Sequence, residues 1–73
     1  MKTCALTGIL VHFKGTAAEH QGPINVIALR ADMDGLNIPE NNPGLSYKSI
    51  TDHAHMCGHD GHMACLMAAA QVL

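Results

Sequence analysis

The sequence has few aromatic residues, with no Trp, one Tyr and one Phe among its 73 residues. Aromatic side chains contribute large buried areas, so their scarcity leaves little material for a hydrophobic core. A chain of this length forms at most one small domain and buries only about 60% of the surface of its unfolded form. We therefore expect a thin core that needs a metal or a partner to supplement it.

Basic residues are also few, and they are scattered along the chain rather than clustered: Lys2, Lys14, Arg30 and Lys48. The formal net charge is −2, and no basic patch marks a nucleic-acid interface. No apolar run approaches the roughly 20 residues of a membrane-spanning helix. The sequence therefore predicts no nucleic-acid partner and no membrane span.

Cysteine is present in an odd number, at the irregularly spaced positions Cys4, Cys57 and Cys65. Three such residues fit reduced thiols better than a disulfide framework, and reduced thiols are typical of cytosolic proteins. The sequence therefore predicts a cytoplasmic location.

Two segments have the composition of β-strands. The stretch TGILVHFKG, residues 7–15, is apolar and bounded by glycines. INVIALRA, residues 24–31, is a near-continuous apolar run of the kind found in strands buried on both faces. Asp32 and Asp34 follow it directly, at the position where open α/β sheets place their sites.

A loop and a helix follow the second strand. Pro, Gly and Asn residues in NIPENNPGLSYKS, residues 37–49, indicate a loop. From Gly61 onward the chain is rich in good helix formers, with apolar residues at helical spacing. Asp60 precedes this segment, where an N-cap accepts hydrogen bonds from free backbone amides.

The densest chemistry lies in HMCGHDGH, residues 55–62. Cys57 and His59 are separated by one glycine, so a non-helical turn can direct both side chains at one ion. Thiolate and imidazole are ligands for zinc, manganese, nickel or cobalt, and clusters of such residues mark metal sites. The alternative is that Cys57 is a small buried hydrophobic residue and the histidines are ordinary surface or core residues.

Neighbouring residues have weaker claims to coordinate a metal. We expect His55 to line the site, His62 to begin the helix and His53 to lie in a solvated loop. Asp60 and Asp32 are candidates to accept the second N–H of a metal-bound imidazole, because such ligands usually donate it to a carboxylate or carbonyl. The alternative for Asp32 is a solvated aspartate in a turn.

Two motifs together resemble a known family. IALRADMDGLNIPE, followed about twenty residues later by HMCGHDGHMACLMAAAQVL, is similar to the metal-dependent amidohydrolases of the aminoacylase and carboxypeptidase type. This branch includes auxin-conjugate hydrolases, hippurate hydrolases and N-acetyl-diaminopimelate deacetylases. The sequence departs from the usual pattern at four positions, none of them a ligand: Gly35, Asn37, Met56 and Met63.

The resemblance implies a fold and a chemistry. The fold would be part of a catalytic α/β/α domain with a mostly parallel sheet. Cys57 and His59 would be ligands of a two-metal centre of zinc, manganese or nickel, and Asp32 would be an aspartate close to that centre. The paired cations would activate a water molecule that hydrolyses the amide bond of N-acyl amino acids or small peptides.

Members of this family are several hundred residues long, and their other ligands and catalytic Glu lie in parts that follow these motifs. The resemblance therefore implies that residues 1–73 are the N-terminal part of a catalytic domain, and that the longer protein is a homodimer formed through a second domain. We expect the 73 residues alone to be inactive. The alternative is a non-catalytic remnant that binds metal weakly or docks onto a partner.

Overall fold

The computed structural model describes residues 1–16, 22–23 and 25–73. Its elements, in chain order, are strand β1 (Lys2–Cys4), strand β2 (Gly8–Leu10) and helix α1 (His59–Val72). The chain is therefore of mixed α/β class, as the sequence predicts.

Strands β1 and β2 form an antiparallel hairpin in which Thr3 pairs with Ile9. The β-branched side chains of both residues suit a pleated strand. The turn between the strands holds Ala5 and Leu6 at positive φ, 48° and 64°. Two-stranded hairpins are marginally stable without further packing. The prediction of a strand within residues 7–15 is confirmed for Gly8–Leu10 only, and its partner β1 was not expected.

The mostly parallel sheet is not observed among the described residues. Residues 25–31 form no strand, and Ile24 lies outside the described residues. The side chains of Val26 and Ile27 are 80% and 84% exposed. A parallel strand buried on both faces needs a neighbouring strand and a crossover connection, and the described part of the chain supplies neither.

Helix α1 confirms the predicted helix but begins two residues earlier than Gly61, at His59. Its half-buried residues lie on one face: His59, Met63, Leu66, Ala69 and Ala70. Met67 and Leu73, which share the predicted apolar spacing, are exposed. In the described residues no helix is long and apolar enough to cross a lipid bilayer.

Little of the described chain is buried. Ala54 is its buried hydrophobic residue, with 7% of its surface exposed. The radius of gyration is 16.8 Å, whereas a compact chain of this length has a value of about 11 Å. The thin core expected from the composition is therefore confirmed.

Candidate metal centre

The candidate site depends on a contact between two loops. The N–H of Leu36 donates to the carbonyl oxygen of Ala54 at 2.9 Å, and the N–H of Ala54 donates back at 3.0 Å. A Cβ on Gly35 would lie 3.3 Å from the same carbonyl oxygen, so glycine allows this close approach. The bridge holds the segment that contains Asp34 against the segment that leads into helix α1.

The turn before helix α1 directs His59 towards the aspartates. Gly58 is the N-cap, with φ 94°, and it makes no side-chain capping hydrogen bond. This left-handed conformation strains any residue with a Cβ, so glycine is required here. The expectation that Asp60 is the N-cap is wrong. Asp60 lies in the first helical turn, where its negative charge interacts favourably with the positive end of the helix dipole.

His59 and two aspartates form a cluster. One potential ligand atom from each of Asp32, Asp34 and His59 lies within 4.8 Å of the other two. Oδ1 of Asp34 lies 2.8 Å from Nδ1 of His59, whose side chain is 21% exposed. The Nδ1 atom itself is buried and makes no hydrogen bond.

Asp32 also contacts Arg30, whose Nη2 donates to Asp32 Oδ1 at 2.6 Å. Both side chains are substantially exposed, so this ion pair adds little stability. It fixes one oxygen of Asp32 and leaves the other available.

The structure brings together only some of the residues that the sequence predicts for the site. His59 and Asp32 share the cluster, whereas Cys57 is a free, exposed cysteine outside it. The role of Cys57 as a ligand therefore stays a prediction. The sequence singles out Asp34 only as one of two aspartates that follow a predicted strand. The alternating pattern Asp-Met-Asp was the signal for it, because alternate residues of an extended segment share a face.

The other histidines among the described residues lie outside the cluster. The His62 ring lies 6.0 Å from that of His59, centroid to centroid, and is in the first turns of helix α1 rather than at its start. His53 and His55 border an open cavity of about 550 Å³ next to the cluster. The remaining lining residues of this cavity are Met33, Gly35, Glu40, Tyr47, Ser49, Ala54 and Asp60.

A network of hydrogen bonds supports the loop along this cavity. Oε2 of Glu40 accepts from the Ser49 N–H at 2.6 Å, and Oε1 accepts from Asn42 Nδ2 at 3.2 Å. The backbone hydrogen bond from Ser49, followed by that from Asn42, lowers the pKa of Glu40 below its ordinary value of 4.5. Ser49 also donates through its hydroxyl to the carbonyl oxygen of His53, which precedes Ala54.

Known proteins are similar to this chain in sequence. An N-acetyldiaminopimelate deacetylase of Bacillus licheniformis is 50% identical over 58 residues, which are 78% of this chain and 14% of the relative. The corresponding enzyme of Bacillus pumilus is 48% identical over 58 residues, again 78% of this chain and 14% of the relative. An uncharacterized hydrolase of Staphylococcus saprophyticus is 44% identical over 62 residues, 84% of this chain and 14% of the relative.

The chain thus spans about one seventh of the length of the curated relatives it matches. No solved structure matches it. Residues 28–73 match the sequence pattern of peptidase family M20/M25/M40. This match covers both the Asp-Met-Asp segment and the turn before helix α1. The chain belongs to peptidase family M20/M25/M40.

Proposed function

We propose that this chain supplies part of the metal centre of an amidohydrolase. The observation that carries the proposal is the buried Nδ1 atom of His59, which lacks a hydrogen bond and lies 2.8 Å from Asp34 Oδ1. A buried polar atom without a partner is rare, and an ion is one of its standard explanations. The donor set of imidazole and carboxylates fits a divalent metal.

Cys57 and His59 would hold the metal, with Asp32 close to it. Divalent cations of the zinc, manganese or nickel type, two in the whole protein, would make a water molecule nucleophilic at neutral pH and polarise the substrate carbonyl. The reaction adds water across the amide bond: the carbon–nitrogen bond breaks, the acyl carbon gains a hydroxyl and the amine gains a proton.

The substrate class would be N-acyl amino acids or small peptides. Support comes from the two Bacillus relatives, whose names describe removal of an acetyl group from N-acetyldiaminopimelate. The open cavity has room for such a molecule, and it is lined by Met33, Gly35 and Asp60, which are sequence neighbours of Asp34 and His59. The amino acid and the acyl group would be selected partly by residues outside the matched segment of the relatives.

We further place residues 1–73 in the N-terminal part of a catalytic domain whose longer form is a homodimer. A cytoplasmic location for the protein is supported by its three free cysteines, Cys4, Cys57 and Cys65.

A second candidate function is that of a non-catalytic polypeptide that binds metal weakly or docks onto a partner. The observation that favours it is the exposure of Val26, Ile27 and Leu29, which are apolar and have no strand partner among the described residues. Such a segment tends to pair with another chain.

A chimera separates the two candidates. The matching 58-residue segment of the Bacillus licheniformis deacetylase is replaced by that of this chain, and hydrolysis of N-acetyldiaminopimelate is measured. Under the first candidate the chimera hydrolyses the substrate, and Cys57→Ala or His59→Ala lowers kcat/KM about 100-fold or more. A folded, dimeric chimera without activity would contradict the first candidate and favour the second. Cys65→Ala, a change at another exposed free cysteine, is the matched control.

A further inference from the structure

Ser49 makes hydrogen bonds through both its backbone and its side chain. Its N–H donates to Oε2 of Glu40 at 2.6 Å, and its hydroxyl donates to the carbonyl oxygen of His53 at 2.5 Å. The same hydroxyl oxygen accepts from the N–H of Thr51 at 3.3 Å, so its own proton is free to point at His53. Ser49 therefore joins two parts of the loop, one before it and one after it.

The carbonyl that accepts from this hydroxyl belongs to the same peptide group as the N–H of Ala54. That N–H donates to the carbonyl oxygen of Leu36 at 3.0 Å. The peptide group between His53 and Ala54 is thus held at both ends, by Ser49 on one side and by Leu36 on the other. Because a peptide group is planar and rigid, a fixed carbonyl also fixes the direction of the N–H. The Ser49 hydroxyl therefore sets the geometry of the bridge between Leu36 and Ala54.

Glu40 holds Ser49 in this arrangement. Glu40 is half-buried, and its two carboxylate oxygens each accept one hydrogen bond, from the Ser49 N–H and from Asn42 Nδ2. Hydrogen bonds to an ionised carboxylate are about twice as strong as those between neutral groups. Glu40 and Ser49 both lie between Leu36 and Ala54 in the sequence, so their hydrogen bond closes the loop inside the bridge.

We propose that Glu40 and Ser49 are positioning residues of the candidate metal centre. They orient the peptide group whose N–H forms the bridge, and the bridge in turn holds the segment that leads into His59 against the segment that contains Asp34. This inference rests on the proposed function and deepens it, because it assigns a role to two residues that would bind neither metal nor substrate.

Hydrogen exchange of the Ala54 amide, followed by NMR in the unchanged chain and its variants, tests the first step. We expect Ser49→Ala to accelerate this exchange about fivefold, which corresponds to the loss of one hydrogen bond. Ser49→Thr keeps the hydroxyl and should restore the slow exchange. Ser46→Ala is the matched control, since Ser46 is an exposed serine of the same loop and the described residues provide no hydrogen bond to its side chain.

Glu40 is tested by the same measurement. Glu40→Gln keeps an oxygen that can accept from the Ser49 N–H but removes the negative charge, whereas Glu40→Ala removes both. We expect exchange of the Ala54 amide to be slowest in the unchanged chain, faster in Glu40→Gln and fastest in Glu40→Ala. An exchange rate that is the same in Glu40→Ala as in the unchanged chain would overturn the role of Glu40.

The Zn²⁺ affinity of the same chains tests the second step. It is measured in competition titrations with a chelating dye. We expect Ser49→Ala to lower the affinity about two- to fivefold, because the bridge is loosened while every proposed ligand stays in place. Ser49→Thr should restore the affinity, and Ser46→Ala should leave it unchanged.

Three results would overturn the inference and leave the proposed function standing. The first is an Ala54 amide that exchanges equally fast with and without the Ser49 hydroxyl. The second is an acceleration in Ser49→Ala that extends equally to the amides of helix α1, since this would show a general loss of stability. The third is faster exchange at Ala54 with undiminished Zn²⁺ affinity, which would separate the bridge from the metal site. If the unchanged chain binds no Zn²⁺, the inference and the proposed function both fail.

Discussion

Leu36 and Ala54 are joined by two backbone hydrogen bonds of 2.9 and 3.0 Å, which hold together two loops that are distant in sequence. Asp34 lies two residues before Leu36, and His59 lies five residues after Ala54. Helix α1 does not contact strands β1 and β2. The bridge connects the segment that contains Asp34 with the segment that leads into His59.

Removal of one bridge donor should therefore weaken metal binding. Leu36→Pro eliminates the N–H that donates to Ala54. Loss of a backbone hydrogen bond costs about 1 kcal/mol, so we expect Mn²⁺ affinity to fall about five- to tenfold in calorimetric titrations. Val26→Pro, at an exposed position far from the bridge, serves as the control and should leave the affinity unchanged. Equal affinities for both variants would show that the bridge does not organise the site.

Two glycines near the start of helix α1 should respond in opposite ways to alanine. Gly58 has φ 94°, so Gly58→Ala introduces left-handed strain of about 1–2 kcal/mol and should reduce helix content. Gly61 lies inside the helix, and a Cβ added there would meet open space. Gly61→Ala should therefore stabilise the helix by up to about 1 kcal/mol and increase the helix content. Far-UV circular dichroism measures both effects. An increase in helix content for Gly58→Ala would contradict the assigned turn conformation.

The loop that borders the cavity should loosen in acid. The hydrogen bond from the Ser49 N–H is the main cause of the lowered pKa of Glu40. A carboxylate with a lowered pKa stabilises the folded loop when the pH is above the ordinary pKa of 4.5. This contribution is lost as the pH falls through the lowered pKa of the folded loop. Above pH 4.5, we expect the Ser49 amide, observed by NMR, to exchange more slowly in the unchanged chain than in Glu40→Gln. This difference in exchange rate should disappear as the pH falls through the lowered pKa of Glu40. Asp52→Asn, for which the described residues provide no such hydrogen bond, should show no comparable effect.

Cys57 and His59 should both be needed for full metal binding. We expect Cys57→Ala and His59→Ala each to lower Zn²⁺ affinity about tenfold or more in competition titrations with a chelating dye. Affinity should also fall as pH is lowered, because protons compete with the metal for imidazole and thiolate. His12→Ala and Cys65→Ala, changes at exposed residues of the same types, are the controls. Unchanged affinity for Cys57→Ala would remove this residue from the set of ligands.

Local patterns predicted those parts of the fold that need only local interactions. Helix α1 follows from its Ala, Leu and Met residues, whose backbone hydrogen bonds are all internal to the segment. The apolar residues 25–31 have strand composition, but a strand also needs a neighbour to accept and donate its backbone hydrogen bonds. The described chain provides no neighbour for them, so the strand prediction was wrong for residues 25–31.

The sequence by itself determined the family, the helix and the concentration of metal-binding residue types in two short motifs. These features depend on residue identity and near-neighbour spacing, which can be read along the chain. Only the tertiary structure decided that Asp34 contacts His59 and that Cys57 stands apart from the cluster. The physical reason is that this contact depends on the Leu36–Ala54 bridge and on the left-handed turn at Gly58, which together set distances across a loop that residue spacing does not define.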